Sequence, residues 1–286
     1  MTKKQLKQAL AFNIFRIVSF SVIAILFIIL GFIVIRGFSA LSWDFITKMP
    51  EEGMTKGGIY PAIIGTLCLI AGSMIFAFPI GVMSGIYTNE YLKDSFFKRF
   101  LRKMTDNLAG VPSIVFGLFG MALFVDTLKF GDSIIAGSFT LGLMVLPVII
   151  RTTEEALKSV EDSLRIGSYA LGATKLQTIR KVVLPIAFPN ILTGLILSVS
   201  RVSGETAPIL FTVAAYFLPK LPTSIFDQVM ALPYHLYVLT TSGTNIKETR
   251  PIAYGTALVL IAIVLFVNLL ANGLRRYFNK NANKRS

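Results

Sequence analysis

Six runs of mainly apolar residues govern what this chain can fold into: about Ile17–Ile35, Ile59–Tyr87, Leu108–Val125, Ser133–Ile150, Ile186–Tyr216 and Ile252–Leu274. Each is close to or above the roughly 18 residues that a helix needs to cross a hydrocarbon core about 30 Å thick. The second and fifth are longer than a straight crossing requires, which predicts tilt or kinks, with Pro79 and Pro208 as the kink sites. Charged residues make up only 15% of the 286 positions, against about 25% in soluble domains. The fold class is therefore all-α and polytopic, with six transmembrane helices.

Charge sets the orientation. With the N-terminus inside, twenty of the 28 Lys and Arg fall in the inner segments: before span 1 (Lys3, Lys4, Lys7, Arg16), at Lys93–Lys103, at Arg151–Lys181 and at Arg275–Arg285. Acids divide evenly between the two sides, so the bias lies in the cations, as the positive-inside rule requires. Both termini are expected in the cytoplasm. The net charge of +13 is then a consequence of topology and points to no nucleic-acid partner. The basic start is not a signal peptide, because its apolar run exceeds the roughly 7–15 residues of a cleaved core and no A-x-A site follows. Residues 1–16 form a cytoplasmic segment, 17–36 the first span, 57–274 the helical core domain and 275–286 a basic cytoplasmic tail against anionic lipid.

Cys68 stands alone in span 2 and can form neither an internal disulfide nor a thiolate cluster. No metal-ligand spacing, paired-carboxylate site, nucleophile elbow or G-x-x-x-x-G-K-[ST] phosphate loop occurs, which predicts no catalytic residues, no directly bound cofactor and no ATP hydrolysis by this chain. The outer segment Thr223–Thr240 is a poor span, holding Pro233, Asp227 and the only histidine, His235, and is expected to be an interfacial or re-entrant helix ended by a TSGTN turn. His235 reads as an interfacial residue.

Function concentrates between residues 154 and 208. The inner loop 154–185 reads as helix, break, helix: helical spacing runs through EEALKSVEDSLRIGSYAL, Gly172 interrupts, Thr174 caps KLQTIRKVV, and Pro185 suits the first turn of span 5. Gly167, Ser168, Ala170, Gly172 and Ala173 give this loop a low profile against which another protein's backbone can come close. In span 5, Arg201 lies about 15 residues from the inner end, on the order of 22 Å in, with Glu205 one turn further. A charge at that depth costs roughly 2.5–3.5 kcal/mol on insertion scales, so neither group is expected to face lipid. At i, i+4 they can neutralise each other; alternatively, Arg201 offers paired hydrogen bonds to an oxyanion and Glu205 holds it between passages. Ser200, Ser203 and Thr206 supply hydroxyls nearby. Pro208 cannot donate to the carbonyl of Gly204, which marks a weak point in the helix. Ala109–Gly120, dense in small residues, reads as a helix-packing face, with Ser113 as a second-choice substrate contact.

The loop resembles the coupling loop of ABC-importer permeases, in which E-A-A is followed by three residues, G, nine residues and I-x-L-P. Gly172 fills the glycine, nine residues follow, and Val182, Leu184 and Pro185 match the end, while Ile166-Gly167-Ser168 stands in place of E-A-A. AGVPSIVFGLFG at 109–120, LGATKLQTIRKVVLP at 171–185 and SRVSGETAPIL at 200–210 are similar to the PstA-like phosphate permeases of bacteria. That resemblance implies the type I importer (MetI-like) fold in a bacterial cytoplasmic (inner) membrane. It also implies a second homologous permease, two cytoplasmic ATPases that use ATP and grip Gly167, Ser168, Ala170, Leu171, Gly172, Ala173, Leu184 and Pro185, and an extracytoplasmic phosphate-binding protein. A permease for molybdate, sulfate or phosphonate, or a self-sufficient secondary transporter, stays open as the alternative.

Overall fold

The computed structural model describes residues 3–242 and 246–282. The Gly-Thr-Asn end of the TSGTN turn and the last four residues of the basic tail lie outside them, as do the side chains of Lys3 and Lys7. Helices make up most of the described chain, with one small hairpin, β1 (Pro50–Glu51) with β2 (Lys56–Gly57), and an irregular outer segment from 211 to 231. The long helices are α1 (Lys3–Phe38), α3 (Tyr60–Ile86), α6 (Ile134–Lys158), α9 (Leu184–Gly204) and α12 (Ile246–Ala282). Short helix α2 (Trp43–Thr47) precedes the hairpin, and a π-helical turn Tyr87–Tyr91 prolongs α3. Five helices are long and apolar enough to span a membrane, six when a bent pair is counted as one span.

That bent pair corrects the expected third span. The run Leu108–Val125 straddles two helices, α4 (Phe96–Ala109) and α5 (Ser113–Gly120, continued by a π turn Met121–Thr127), which meet at 98°. The break at Gly110–Pro112 follows from Pro112, which pushes Val111 out of the helical region. Helix α4 is amphipathic and turns from the span direction, with Phe96, Phe97, Phe100 and Met104 exposed. Its other side is fixed to the inner end of α6 by charge: Arg102 lies 3.2 Å from Glu154, Arg151 lies 3.2 Å from Glu154, and Arg151 also pairs with Asp106. Glu154 is 2% exposed, and the two guanidiniums that neutralise it let α6 run on to Lys158, through the first five residues of the expected loop.

The core lies between α3, α6 and α9, where Leu69, Ile70, Met74 and Ala77 meet Leu141, Met144, Val145, Ile149 and Val202. Glycine sets the close approaches, as small residues do between membrane helices. A Cβ on Gly120 would collide with Thr140, one on Gly194 with Thr152, and one on Gly117 would sit 2.8 Å from the carbonyl oxygen of Ala207. The Ala109–Gly120 run is thus a packing face at Gly117 and Gly120. At Gly65 the obstacle is the carbonyl of Met230, backbone that has no rotamer to yield. Gly65→Ala is expected to destabilise the protein by about 1–3 kcal/mol, seen as a lower Tm in detergent, whereas Gly31→Ala, which meets nothing within 4 Å, leaves Tm unchanged.

Candidate functional site

The stretch that carries the candidate site is one nearly continuous rod. Helix α8 (Lys175–Thr178), a π turn (Ile179–Val183) and α9 run unbroken from Lys175 to Gly204, 30 residues, about 45 Å at 1.5 Å per residue. The second short helix of the loop is therefore the inner end of span 5. Pro185 sits within this rod, just after the π turn, where the wider turn accommodates its ring and missing N–H.

At the inner end, α7 (Asp162–Ala170) and α8 form a hairpin of helices. Gly172 adopts φ +80°, a left-handed conformation that favours glycine. Thr174 then starts α8 with a full capping box: the Gln177 N–H donates to its hydroxyl and its own N–H donates to the Gln177 side chain at 2.8 Å. Ser168 and Thr178 share a hydroxyl hydrogen bond of 2.9 Å that closes the hairpin. No residue of α7 is buried, and apolar groups stand out around the turn: Leu171 is 90% exposed, Ile166 67% and Leu176 65%. Ile166, at the acid's place in the E-A-A pattern, is thus an apolar projection. Gly167, Ala170 and Gly172 are exposed with Leu171, Ser168 and Ala173 partly so, and nothing lies within 4 Å of a Cβ built on Gly167 or Gly172. Leu184 and Pro185 lie on the rod beyond the hairpin.

At the outer end, Arg201 and Glu205 are not in mid-helix as expected. Arg201 occupies the last turn of α9, and Glu205 is the residue after it, with extended backbone (φ −78°, ψ 129°). Pro208, in the first turn of α10 (Ala207–Leu210), has no N–H to continue the ladder, so Gly204 and Pro208 end the helix where a kink was expected. Span 5 stops twelve residues short of Tyr216. Thr212, Ile225 and Asp227 then offer their carbonyls to the N–H groups of Ser133, Ile135 and Ile134, closing the N-terminus of α6. Asp227 itself folds the outer loop. Its carboxylate accepts the N–H groups of Thr223 and Ser224 and the Thr223 hydroxyl, which hold its pKa below the usual carboxylate value. Helix α11 begins only at Leu232 and runs to Thr241, nine residues later than the expected Thr223. Its first N–H donates to the Thr66 hydroxyl of α3 at 2.8 Å, which draws this end of α11 into the bundle. His235 is 2% exposed, with neither ring nitrogen hydrogen-bonded, so it is a buried residue and not an interfacial one.

The Arg201 Nε lies 3.5 Å from Glu205 Oε1, with the side chains 35% and 19% exposed. Glu205 borders a cavity of about 10 Å³ with Thr66, Leu69, Leu141, Ala231 and Pro233, near the smallest space that holds one water. The three hydroxyls differ. Ser203 is fully buried and donates to the Val199 carbonyl at 2.6 Å. The Ser200 hydroxyl lies 2.9 Å from both the Ile196 carbonyl and Asn268 Oδ1, tying α9 to α12. Thr206, half-buried at the start of α10, is the one of the three next to Glu205 in the open break. Sequence reasoning passed over a stripe along α9: Ile186, Asn190, Leu197 and Gly204 are exposed, with Thr193 and Arg201 partly so. These residues recur every three or four positions, so one face of the rod carries Asn190, Thr193 and Arg201 in line from the inner to the outer side.

A bundle of membrane-spanning helices that presents an exposed hairpin at one end and a partly polar exposed face along the attached helix has the build of a permease subunit. The profile of the binding-protein-dependent transport system inner membrane component family matches residues 77–284, and the chain belongs to that family. It is 34% identical over 283 residues to the probable ABC transporter permease protein YqgI of Bacillus subtilis, covering 95% of this chain and 96% of that one. It is 41% identical over 254 residues to the phosphate transport system permease protein PstA of Mycobacterium leprae, covering 86% and 81%. Among solved structures, a bacterial alginate ABC transporter shares the fold with a TM-score of 0.71 at 15% identity over 97% of this chain and 98% of that one. The MetNI methionine ABC transporter does so with 0.60 at 17% over 77% and 97%.

Removing the cap tests the hairpin. Thr174→Ala is expected to cost α8 about 1 kcal/mol, read as faster amide exchange at residues 175–178, while Thr174→Ser keeps the wild-type rate.

Proposed function

We propose that this chain is the permease subunit of an ATP-driven importer of inorganic phosphate. It would form the translocation path with a second, homologous permease, be driven by two cytoplasmic ATPases that grip the α7–α8 hairpin, and receive its anion from an extracytoplasmic phosphate-binding protein. The observation that carries this reading is Arg201. It is partly exposed on the α9 stripe, and its one ion pair among the described residues is a 3.5 Å contact with Glu205.

A guanidinium facing acyl chains is costly, so the stripe is best placed against an aqueous path completed by the second permease. There Arg201 offers a planar fork of donors to an oxyanion. Glu205 occupies that fork while the path is empty and competes with the departing anion, which keeps binding weak enough for release. Relatives named as phosphate transport permeases, 40–41% identical in two mycobacteria, support phosphate as the cargo. ATP-driven movement of the hairpin acts on a rod that ends at Arg201, so displacement inside is transmitted to the anion site without an intervening joint. The chain itself carries no phosphate loop, which leaves hydrolysis to the partners.

In proteoliposomes holding the full complex, Arg201→Gln is expected to lower phosphate uptake roughly 10- to 100-fold, the value of a charge-assisted hydrogen bond, with assembly intact. Wild-type uptake by that variant contradicts the role. Competition by excess molybdate, sulfate or phosphonate separates phosphate from the other oxyanions.

A further inference from the structure

Helix α7 buries no residue, so apolar packing does not hold it against the bundle. Its grip comes from one side chain. The Arg165 guanidinium is 14% exposed and donates from Nη2 to Glu90 Oε1 at 2.9 Å and to the Leu157 carbonyl at 2.8 Å. Its Nη1 donates to the Val160 carbonyl at 2.7 Å and to Asp162 Oδ1 at 3.1 Å. Glu90, 7% exposed, sits in the π turn that prolongs α3, and its Oε1 also accepts from Asn89 Nδ2 at 2.9 Å. Leu157 belongs to the last turn of α6. A single residue of α7 thus reaches the inner ends of both α3 and α6. Next to it, the Lys175 ammonium of α8 lies 5.0 Å from the centre of the Tyr91 ring, on the same π turn.

We infer that Arg165, with Glu90 as its partner, is the positioning residue that transmits movement of the α7–α8 hairpin to α3 and α6. This rests on reading the hairpin as the ATPase handle. The rod α8–α9 already joins the handle covalently to Arg201 and packs on both neighbours, with Val183, Ala187 and Ile191 in one apolar cluster with Ala156 and Leu157 of α6 and Phe78, Val82 and Ile86 of α3, but α7, the other arm of the handle, has no buried residue to do the same. A push on α7 would otherwise reach α3 and α6 only by way of α8, whereas the Arg165 clamp ties α7 directly to the inner ends of both. The clamp is stiff because both charges are mostly buried. Separating them leaves an uncompensated charge out of water, and Arg165 has four acceptors to lose at once. The acid missing at Ile166 does not weaken this arrangement, because the ionic anchor of the helix points inward from the preceding residue and leaves its outer face apolar.

The test uses the complete complex, with both permeases and both ATPases, in proteoliposomes, and reads phosphate imported per ATP hydrolysed. Arg165→Gln and Glu90→Gln are each expected to lower that ratio about tenfold, within the usual range for coupling between sites, while ATP hydrolysis continues. The double variant is expected to be no worse than Arg165→Gln alone, because that substitution already removes the Glu90 interaction. Should a variant fail to assemble, Glu90→Asp, which keeps the charge but shortens its reach, is expected to give an intermediate ratio. An unchanged ratio in these variants, or losses that multiply in the double, overturns the clamp. Absence of ATP-dependent uptake by the wild-type complex would instead refute the proposed function and is distinguishable for that reason.

Discussion

In a bilayer core every backbone N–H and C=O must find its partner inside the protein, and the way this chain meets that demand determines where its working parts lie. Where a helix stays whole, the demand is met internally. Where α9 ends at Gly204, the chain needs protein around the break. It gets it from α5, whose Gly117 lies against Ala207, while the loop beyond gives the carbonyls of Thr212, Ile225 and Asp227 to the N-terminus of α6 and Thr66 accepts the first N–H of α11. The break opens beside Arg201 and Glu205.

The two ends of the rod have opposite characters. The inner hairpin is built for stiffness, with a glycine in the left-handed region, a reciprocal cap, a hydroxyl pair and the Arg165 clamp, while its outer surface is left apolar at Ile166, Leu171 and Leu176. The outer end is loosely held, with a 3.5 Å ion pair and a gap near one water in size. In the proposed function, force enters at the rigid end and the anion is met at the yielding one. Gly72, Gly81 and Gly85 of α3, set against Ser138, Ile149 and Thr153 of α6, and Gly194 of α9, set against Thr152, let the three helices approach closely.

Much of this was legible in the sequence, where the physics was local. Spans 2, 4 and 6 follow from apolar length alone, and the turn at Gly172 with its Thr174 cap was readable because capping is decided within four residues. The misreadings have non-local causes. Gly204 and Pro208 announced a weak point, but whether the helix kinks or stops there depends on the protein packed around it, such as Gly117 of α5 against Ala207. Summed hydropathy over Leu108–Val125 is blind to direction, so it merged the end of an amphipathic surface helix with the span that follows. The Arg165–Glu90 contact joins residues 75 positions apart, with no local signature. Asn190 and Thr193 were hidden because a lone polar residue in an apolar run gains meaning only once the exposed face of the helix is known.

The central claim is that the α9 stripe lines an aqueous path for an anion. Single cysteines placed at 190, 193, 197 and 204 in a Cys68→Ser background, in the assembled complex, test it by their reaction with a membrane-impermeant thiol reagent. The account predicts modification along the stripe that phosphate slows near position 201. Inertness toward that reagent together with reaction toward a lipid-soluble maleimide, at all four positions, would place the stripe in the hydrocarbon and contradict it.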